Sequence, residues 1–485
     1  MNLSLLLSDL DGFTRSGNPQ DVHILTGVQD DSREATPGSL FVAVNGTAVD
    51  GHRFIPDAIT NGAVAIVCEQ LPPNPDPNVV FIKVPNSALA LGLLASRWFG
   101  QPSAHLTLVG VTGTNGKTTI ASLLYELFRA LGHKVGLLST ICNYVDGVPF
   151  PTSHTTPGAL ELHQLLARMV DAQCSHVFME VSSHAVAQSR IAGLDFHGAI
   201  FTNLTRDHLD YHLTVDNYLR AKKAFFDHLP PYAFALSNAD DKNGTVMLQN
   251  TAARPLYYSL HTLADFNAKI LETHLDGSLL LINGHEVHVR FTGAFNAANL
   301  LAVFAAAVAL GKNPTDVLLV LSNLRPVAGR FETFPLPSGA TAIVDYAHTP
   351  DALLNVLQSI RDVLRNKGRI ITVVGAGGNR DKGKRPIMAQ VADRLSDIVV
   401  LTSDNPRDED PLEIIHQMLT GLTPAHQRRT HCIPDRLQAI TTAVALASPS
   451  DVVLVAGKGH EPYQEINGTK LHFDDREVLS SLANS

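Results

Sequence analysis

The sequence predicts an α/β protein of three domains: a small mixed α/β domain at residues 1–104, a central P-loop-type domain with a parallel sheet at 105–326, and a C-terminal Rossmann-like, doubly wound domain at 327–485. Three observations lead there. A glycine loop at 113–118 sits between an apolar β-rich run and an amphipathic helix. From residue 342 to 455 apolar strands alternate with helices, the pattern of βαβ crossovers and a parallel sheet. The first hundred residues carry shorter strands and a proline-rich loop at Pro72, Pro73, Pro75 and Pro77. A length of 485 residues fits two to four domains.

In the first domain, strands are expected at 39–44 and 63–67 with a helix at 54–61 between them, and a linker near 100–104. The second opens with a strand at 106–111. Its helix at 118–131 has Leu123, Leu124, Leu127, Phe128 and Leu131 at helical spacing, and Gly132 is the stop. Buried strands follow at 177–181 and 199–204, then an Ala/Leu-rich helix at 296–310. In the third, strands at 342–344, 370–374, 398–401 and 451–455 alternate with helices at 351–364, 386–395 and 412–419. Asp345, Gly375, Asp404 and Gly457 each fall just after a strand. Ligands of open α/β sheets bind at the carboxyl ends of strands, so these loops should converge on one face.

Composition excludes several classes. The net charge is −9 with no basic stripe, which argues against a nucleic-acid partner. Cys68, Cys142, Cys174 and Cys432 form no CxxC pair, so free thiols in a reducing compartment are expected. The apolar run Leu3, Leu5, Leu6, Leu7 lacks a basic flank and reads as a first amphipathic helix rather than a signal peptide. No apolar run reaches the ~20 residues that span a bilayer. A cytoplasmic protein without a membrane partner is expected.

The loop Gly113-Thr114-Asn115-Gly116-Lys117-Thr118 has the features of a phosphate cradle. Glycines let backbone N–H groups curl around phosphate oxygens, and a helix N-terminus adds partial positive charge. Lys117 would reach the β/γ-phosphates and the Thr118 hydroxyl would ligate Mg²⁺. The longer P-loop pattern wants glycine at Val111, so only the shorter GxxGKT form is present. Gly375-Ala376-Gly377-Gly378 hints at a dinucleotide loop, but Arg380 stands where the third glycine would fall, and a nicotinamide site is rejected.

Glu180 ends a buried strand and opens Glu180-Val181-Ser182-Ser183-His184, and a second polar run reads Asp207-His208-Leu209-Asp210-Tyr211-His212. Leu209 rules out an HExxH zinc helix. Glu180 and His208 near a phosphate loop suit Mg²⁺ bridging nucleotide and substrate oxygens. A solvated acid at a strand end and two surface histidines remain the alternatives.

With these residues in place, the run Val111–Thr119 resembles the ATP loop of the Mur ligase superfamily, to which folylpolyglutamate synthetase also belongs. Asp31-Ser32-Arg33, the Glu180 and Asp207 runs, and Asp345-Tyr346-Ala347-His348-Thr349-Pro350 narrow the resemblance to ligases that add the third amino acid of the muropeptide. It covers nearly the whole chain. Asp404-Asn405-Pro406-Arg407 looks like the tetrapeptide of those that add meso-diaminopimelate, whose arginine lysine-adding relatives usually lack. The chemistry agrees: a guanidinium grips a carboxylate with two parallel hydrogen bonds, and lysine has no second carboxylate to offer. Without the family, the same four residues would read equally well as a surface turn.

The resemblance implies the remaining roles. Asp30, Ser32, Thr47, Ala48 and Val49 would hold the uridine part, making the first domain UDP-binding. Thr155, Thr156, Ser182, Gln188 and Arg190 would line the muramoyl-dipeptide. Arg380, Asp404, Asn405, Pro406, Arg407, Gly457 and Glu461 would hold diaminopimelate. The loop from Gly113 to Thr119, with Asn296, Asn299, Arg330 and Asp345, would face ATP. Lys222 stands where the family carries a carbamylated lysine, a lysine capped by CO₂ into an anionic metal ligand. Lys117, Glu180, His208 and Lys222 would be catalytic, and Thr118, Glu180, His208 and Lys222 would hold Mg²⁺. The implied reaction joins UDP-N-acetylmuramoyl-L-alanyl-D-glutamate to meso-diaminopimelate through an acyl phosphate; separately, a monomer is expected. The rivals are a lysine-adding sister, a folate polyglutamylating ligase, a nucleotide-gated switch and a catalytically silent scaffold.

Overall fold

Period-two burial along the central strands decides which face each residue serves. The computed structural model describes residues 1–8, 10–16, 25–46, 49–152, 154–365 and 367–483. In Thr107–Thr112, Leu108 points into one apolar layer and Val109 and Val111 into the other; in His176–Glu180, Val177 and Met179 oppose Phe178 in the same way. Both faces are covered, so these strands read as continuous apolar runs.

The central sheet has eleven strands. In spatial order they are His285–Val289, Gly277–Ile282, Phe266–His274, Arg254–Ser259, Phe234–Asn238, Gly198–Phe201, Thr107–Thr112, His176–Glu180, Val135–Leu138, Asn143–Val145 and Val148–Phe150. The run from Phe266–His274 to Val135–Leu138 is parallel, and the two outermost strands at each end pair antiparallel. Lys117–Ala130 and Ala294–Ala309 cover one face, Ala159–Asp171 and Val215–Asp227 the other.

The N-terminal sheet has five strands, in the order Thr14–Ser16, Val80–Lys83, Ala65–Cys68, Leu40–Val42, Val28–Gln29, with only the first antiparallel. Ser87–Trp98 lays Ala90, Leu91 and Leu94 on it. The C-terminal sheet runs Glu332–Pro335, Thr341–Asp345, Val452–Ala456, Ile370–Val374, Ile398–Leu401, His431–Cys432, parallel except at the Glu332–Pro335 edge. Pro350–Leu364, Lys384–Leu395 and Pro411–Leu419 pack on one face; Arg436–Leu446 and Asp475–Ala483 pack on the other. This is the doubly wound arrangement expected, and the α/β character holds in the sheets of five, eleven and six strands. Among the described residues no helix is long and apolar enough to cross a membrane.

Hairpins are what the periodicity reading left out. Asn143–Val145/Val148–Phe150, Gly277–Ile282/His285–Val289 and Tyr463–Ile466/Thr469–His472 turn on Asp146-Gly147, Asn283-Gly284 and Asn467-Gly468. All six turn residues have positive φ, the type I′ geometry that such pairs favour.

Candidate active site

Strand Thr107–Thr112 delivers the chain to the phosphate loop, and helix Lys117–Ala130 carries it away. Gly116 caps that helix at φ +89°, and a Cβ there would lie 2.6 Å from Asn299 Oδ1, so glycine is required and Asn299 faces the loop. The loop is held from below: Asn115 N donates to Asn203 Oδ1 at 3.0 Å, Thr114 N to Asn203 O at 2.8 Å, and Thr202 Oγ1 to Asn115 O at 2.6 Å. Lys117 Nζ folds back onto the loop, donating to Gly113 O at 2.9 Å and Thr114 O at 2.8 Å. Loss of hydration lowers its pKa, while Glu180 and Asp207 pull the other way. Thr119 is buried on the helix, and Asn296 donates to Thr292 O at 2.9 Å.

Glu180, 1% exposed at the end of its strand, accepts from Thr118 Oγ1 at 2.9 Å and from Thr140 N at 2.7 Å. The solvated-acid alternative therefore fails for Glu180. Lys222 is equally buried and donates to Gly113 O at 2.8 Å with its ammonium 4.6 Å from the Tyr218 ring centre. Burial, and then the nearby Lys117 charge, pushes its amine well below the ordinary lysine range. His208 has φ +54° and its ring lies 3.5 Å from Asp207 Oδ2 and edge-on to His184. His212 is a buried residue, not a surface one, and its Nε2 is 2.9 Å from Ser183 Oγ. Among the described residues no three His, Cys, Asp or Glu side chains converge as a metal cage. The hard oxygens of Thr118 and Glu180 do fit Mg²⁺, which keeps open positions for phosphate oxygens. Lys222 as an ammonium does not fit a cation; as a carbamate it would.

The residues expected to line the dipeptide come together beside Glu180. Thr156 Oγ1 donates to Glu180 O at 2.8 Å and accepts from Ser182 N at 3.1 Å. Thr155 Oγ1 accepts from Thr140 Oγ1 at 3.1 Å. Arg190 reaches Thr156 O at 2.9 Å and grips Gln188 Oε1 through Nε and Nη2, at 3.0 and 2.7 Å.

In the third domain Arg407 has φ +52° and donates through Nη1 to Gly378 O at 2.8 Å, with Glu465 Oε2 3.4 Å from its Nε. A Cβ on Gly377 would lie 3.1 Å from Arg407 Nη1 and 3.7 Å from Arg380 Cγ, so both arginines border one glycine. Asn405 Nδ2 donates to Glu461 Oε2 at 2.7 Å. Asp404 Oδ2 is buried without a partner, aimed where a Cβ on Gly457 would lie, 2.3 Å away. Pro406 O would lie 1.9 Å from a Cβ on Gly378. The loops after the strands thus meet as expected.

Arg330 and Asp345 stand at the seam between the second and third domains. The Arg330 guanidinium lies 4.1 Å over the Tyr346 ring, and its Nη2 donates to Thr118 Oγ1 at 3.3 Å. Asp345 Oδ2 accepts from Phe331 N at 2.8 Å. Arg206 pairs with Asp381 at 3.8 Å across the same seam. In the first domain Ser32 is buried, its carbonyl held by Asn61 Nδ2 at 2.9 Å, while Asp30 and Val49 are exposed. Thr47 and Ala48 lie outside the described residues. Thr140, Asn203 and Lys458 carry no signal of their own in the sequence. They act through contacts made only when strand ends converge.

Three family models match the chain: Mur ligase family, catalytic domain, at residues 24–99; Mur ligase middle domain at 111–307; and Mur ligase, glutamate ligase domain at 329–459. A protein of Parabacteroides distasonis named UDP-N-acetylmuramoyl-L-alanyl-D-glutamate--2,6-diaminopimelate ligase is 67% identical over 458 residues, 94% of each chain. A protein of the same name from Bacteroides fragilis is 58% identical over 482 residues, 99% of each chain. A solved structure described by that name matches with a TM-score of 0.67 at 33% identity, covering 95% of both chains.

Proposed function

The chain belongs to the Mur ligase family, and we propose that within it the enzyme joins meso-2,6-diaminopimelate to the D-glutamate γ-carboxylate of UDP-N-acetylmuramoyl-L-alanyl-D-glutamate at the expense of ATP, releasing ADP and phosphate. The observation that carries the proposal is the Arg330–Thr118 contact. It sets a phosphate loop on one side of a seam and an arginine-bordered amino-acid site on the other.

A γ-carboxylate is a poor electrophile, and ATP activates it as an acyl phosphate that the diaminopimelate amine then opens. Loop N–H groups and Lys117 hold the phosphates; on binding, the Lys117 ammonium exchanges its two loop carbonyls for phosphate oxygens. Thr118 and Glu180 would hold one Mg²⁺, and Glu180, His208 and carbamylated Lys222 would hold another. The ion, when bound, neutralises phosphate charge. A lysine whose amine is neutral is the form that captures CO₂, and the lowered basicity of Lys222 supports that role. Thr155, Thr156, Ser182, Gln188 and Arg190 orient the dipeptide beside Glu180. Asn296 and Asn299 with Arg330 and Asp345 face the nucleotide. Arg380 and Arg407 take the distal carboxylate of diaminopimelate, while Asp404, Asn405, Gly457 and Glu461 take its ammonium. Asp30, Ser32 and the 47–49 stretch bind uridine. The seam excludes water from the anhydride.

The division at 104/105 and 326/327, a monomeric state and a cytoplasmic location belong to the same proposal. Separate sheets of five, eleven and six strands support the first. A lysine-adding sister is disfavoured by Arg407, for which lysine offers no carboxylate. Purified protein given the UDP-dipeptide, ATP and Mg²⁺ should release ADP in sustained turnover only when diaminopimelate is added. Sustained amine-independent release would indicate a nucleotide switch instead.

A further inference from the structure

Lys458 is a lysine with 0% exposure, set between Gly457 and Gly459. Gly457 has φ +117°, and a Cβ there would lie 2.3 Å from Asp404 Oδ2, so only glycine fits the turn that leads into Lys458. Its Nζ donates to Asn405 Oδ1 at 3.3 Å and to the carbonyl of Tyr463, and lies 3.6 Å from Glu461 Oε2. The hairpin that begins at Tyr463 clamps the same segment. Gln464 Nε2 donates to Asp404 O at 2.7 Å, Glu465 N to Asn405 Oδ1 at 2.9 Å, and Arg407 N to Glu465 O at 3.0 Å.

A buried ammonium is retained only where its partners are fixed. Here the partners are two side chains proposed to grip the amino acid and the hairpin that carries the Arg407 backbone. Granting that the third domain binds the diamino acid, as proposed above, we infer that Lys458 is a positioning residue for amino-acid selection. It locks Asn405 and Glu461 at a fixed separation and couples them to the Tyr463–Ile466 strand that holds Arg407. Lys458 itself, walled in by Asn405, Tyr463 and Glu461, has no exposed surface to offer a substrate. Glu461 is faced by Asp404, Lys458, Tyr346, Tyr463 and Arg436. Burial and then Asp404 raise its pKa, and Lys458 is the leading opposing influence.

Steady-state kinetics of Lys458→Met against the parent tests this. The KM for diaminopimelate should rise about 100-fold, the scale of misplacing a gripping group, while the KM values for ATP and the UDP-dipeptide stay within about twofold. The acidic limb of kcat/KM for diaminopimelate should move to higher pH, because Glu461 loses its neighbouring cation. An unchanged KM for diaminopimelate, or equal losses for all three substrates with an unmoved acidic limb, overturns the inference. Should Lys458→Met not fold, Lys458→Arg carries the test: it keeps the cation but displaces it, so the limb should stay and the diaminopimelate KM should rise. A parental KM in that variant also overturns it. A parent enzyme that does not join diaminopimelate defeats the proposed function instead, before any variant is made.

Discussion

Asn115 in the phosphate loop donates through Nδ2 to Oδ2 of Asp351, in the first turn of helix Pro350–Leu364, at 3.0 Å and 236 positions away in sequence. With Arg330–Thr118, it ties the third domain directly to the loop proposed to hold the γ-phosphate. Asp351→Ala should therefore slow turnover by about 10-fold through misalignment of the amine, with UDP-dipeptide affinity little changed. Steady-state kcat and direct binding of the UDP-dipeptide check it. A parental kcat would mean that this bond plays no part in aligning the domains.

Lys222→Ala should lose about 10²–10³ in kcat, the cost of removing one charge-stabilising group. Because the proposed ligand is a carbamate rather than an amine, a short-chain carboxylate added to the assay should restore part of the rate. A variant with parental activity would remove Lys222 from the metal site.

Asp345 is buried, and its carboxyl is pushed up to about 6 by lost hydration, against the pull of Arg330 and the Phe331 N–H. A folded-state pKa above the unfolded one means that the native state holds this proton more tightly. The group therefore favours folding at low pH, and that contribution disappears as pH rises through about 6. Asp345→Asn deletes the term. Relative to the variant, the parent should lose about 3 kcal/mol of stability between about pH 4 and pH 7, an order-of-magnitude figure from a shift near two units. Urea unfolding of both proteins at the two pH values measures it, and a difference that does not change with pH contradicts it.

Arg385 has 0% side-chain exposure and meets Glu409 through two hydrogen bonds of 2.9 Å, and this holds the Glu409 carboxyl down to about 2. Arg385 keeps its bonds to Gln417 Oε1 and Gly377 O when Glu409 is replaced, so Glu409→Gln should destabilise the protein by about 1–3 kcal/mol at neutral pH, the scale of a hydrogen bond to a charged group. The carboxyl is depressed, so the parent's advantage is present above the ordinary carboxylate range and fades as pH falls toward about 2. Thermal unfolding at pH 7 gives the magnitude; equal melting temperatures would show that the pair contributes nothing.

Elements whose apolar period is long were legible from the letters. The strands at 370–374 and 398–401 were placed to the residue, and the helix expected at 118–131 forms at Lys117–Ala130. The hairpins were not, although Asp146-Gly147, Asn283-Gly284 and Asn467-Gly468 announced them; Val148–Phe150 and Thr469–His472 are too short and too exposed for an apolar pattern to stand out, while Gly277–Ile282 does alternate and was missed. In the site, the phosphate loop and Glu180 were visible because consecutive residues carry the chemistry. Thr140, Asn203 and Lys458 were not, because each acts on a residue many positions away and only the sheet brings them together.

In the proposed reaction ATP energises the carboxylate while Arg407 chooses the diamino acid that captures it. The ratio of kcat/KM for meso-diaminopimelate to that for L-lysine, measured in the parent and in Arg407→Asn, tests it most directly. A hydrogen bond to a charged group is worth about 1.5–3 kcal/mol, and the distal carboxylate offers two that lysine cannot, so the parent should prefer diaminopimelate by about 10²–10⁴. The variant should lose most of that preference while its KM for ATP holds. A parent that accepts lysine equally well, or a variant that keeps the full preference, would contradict the account.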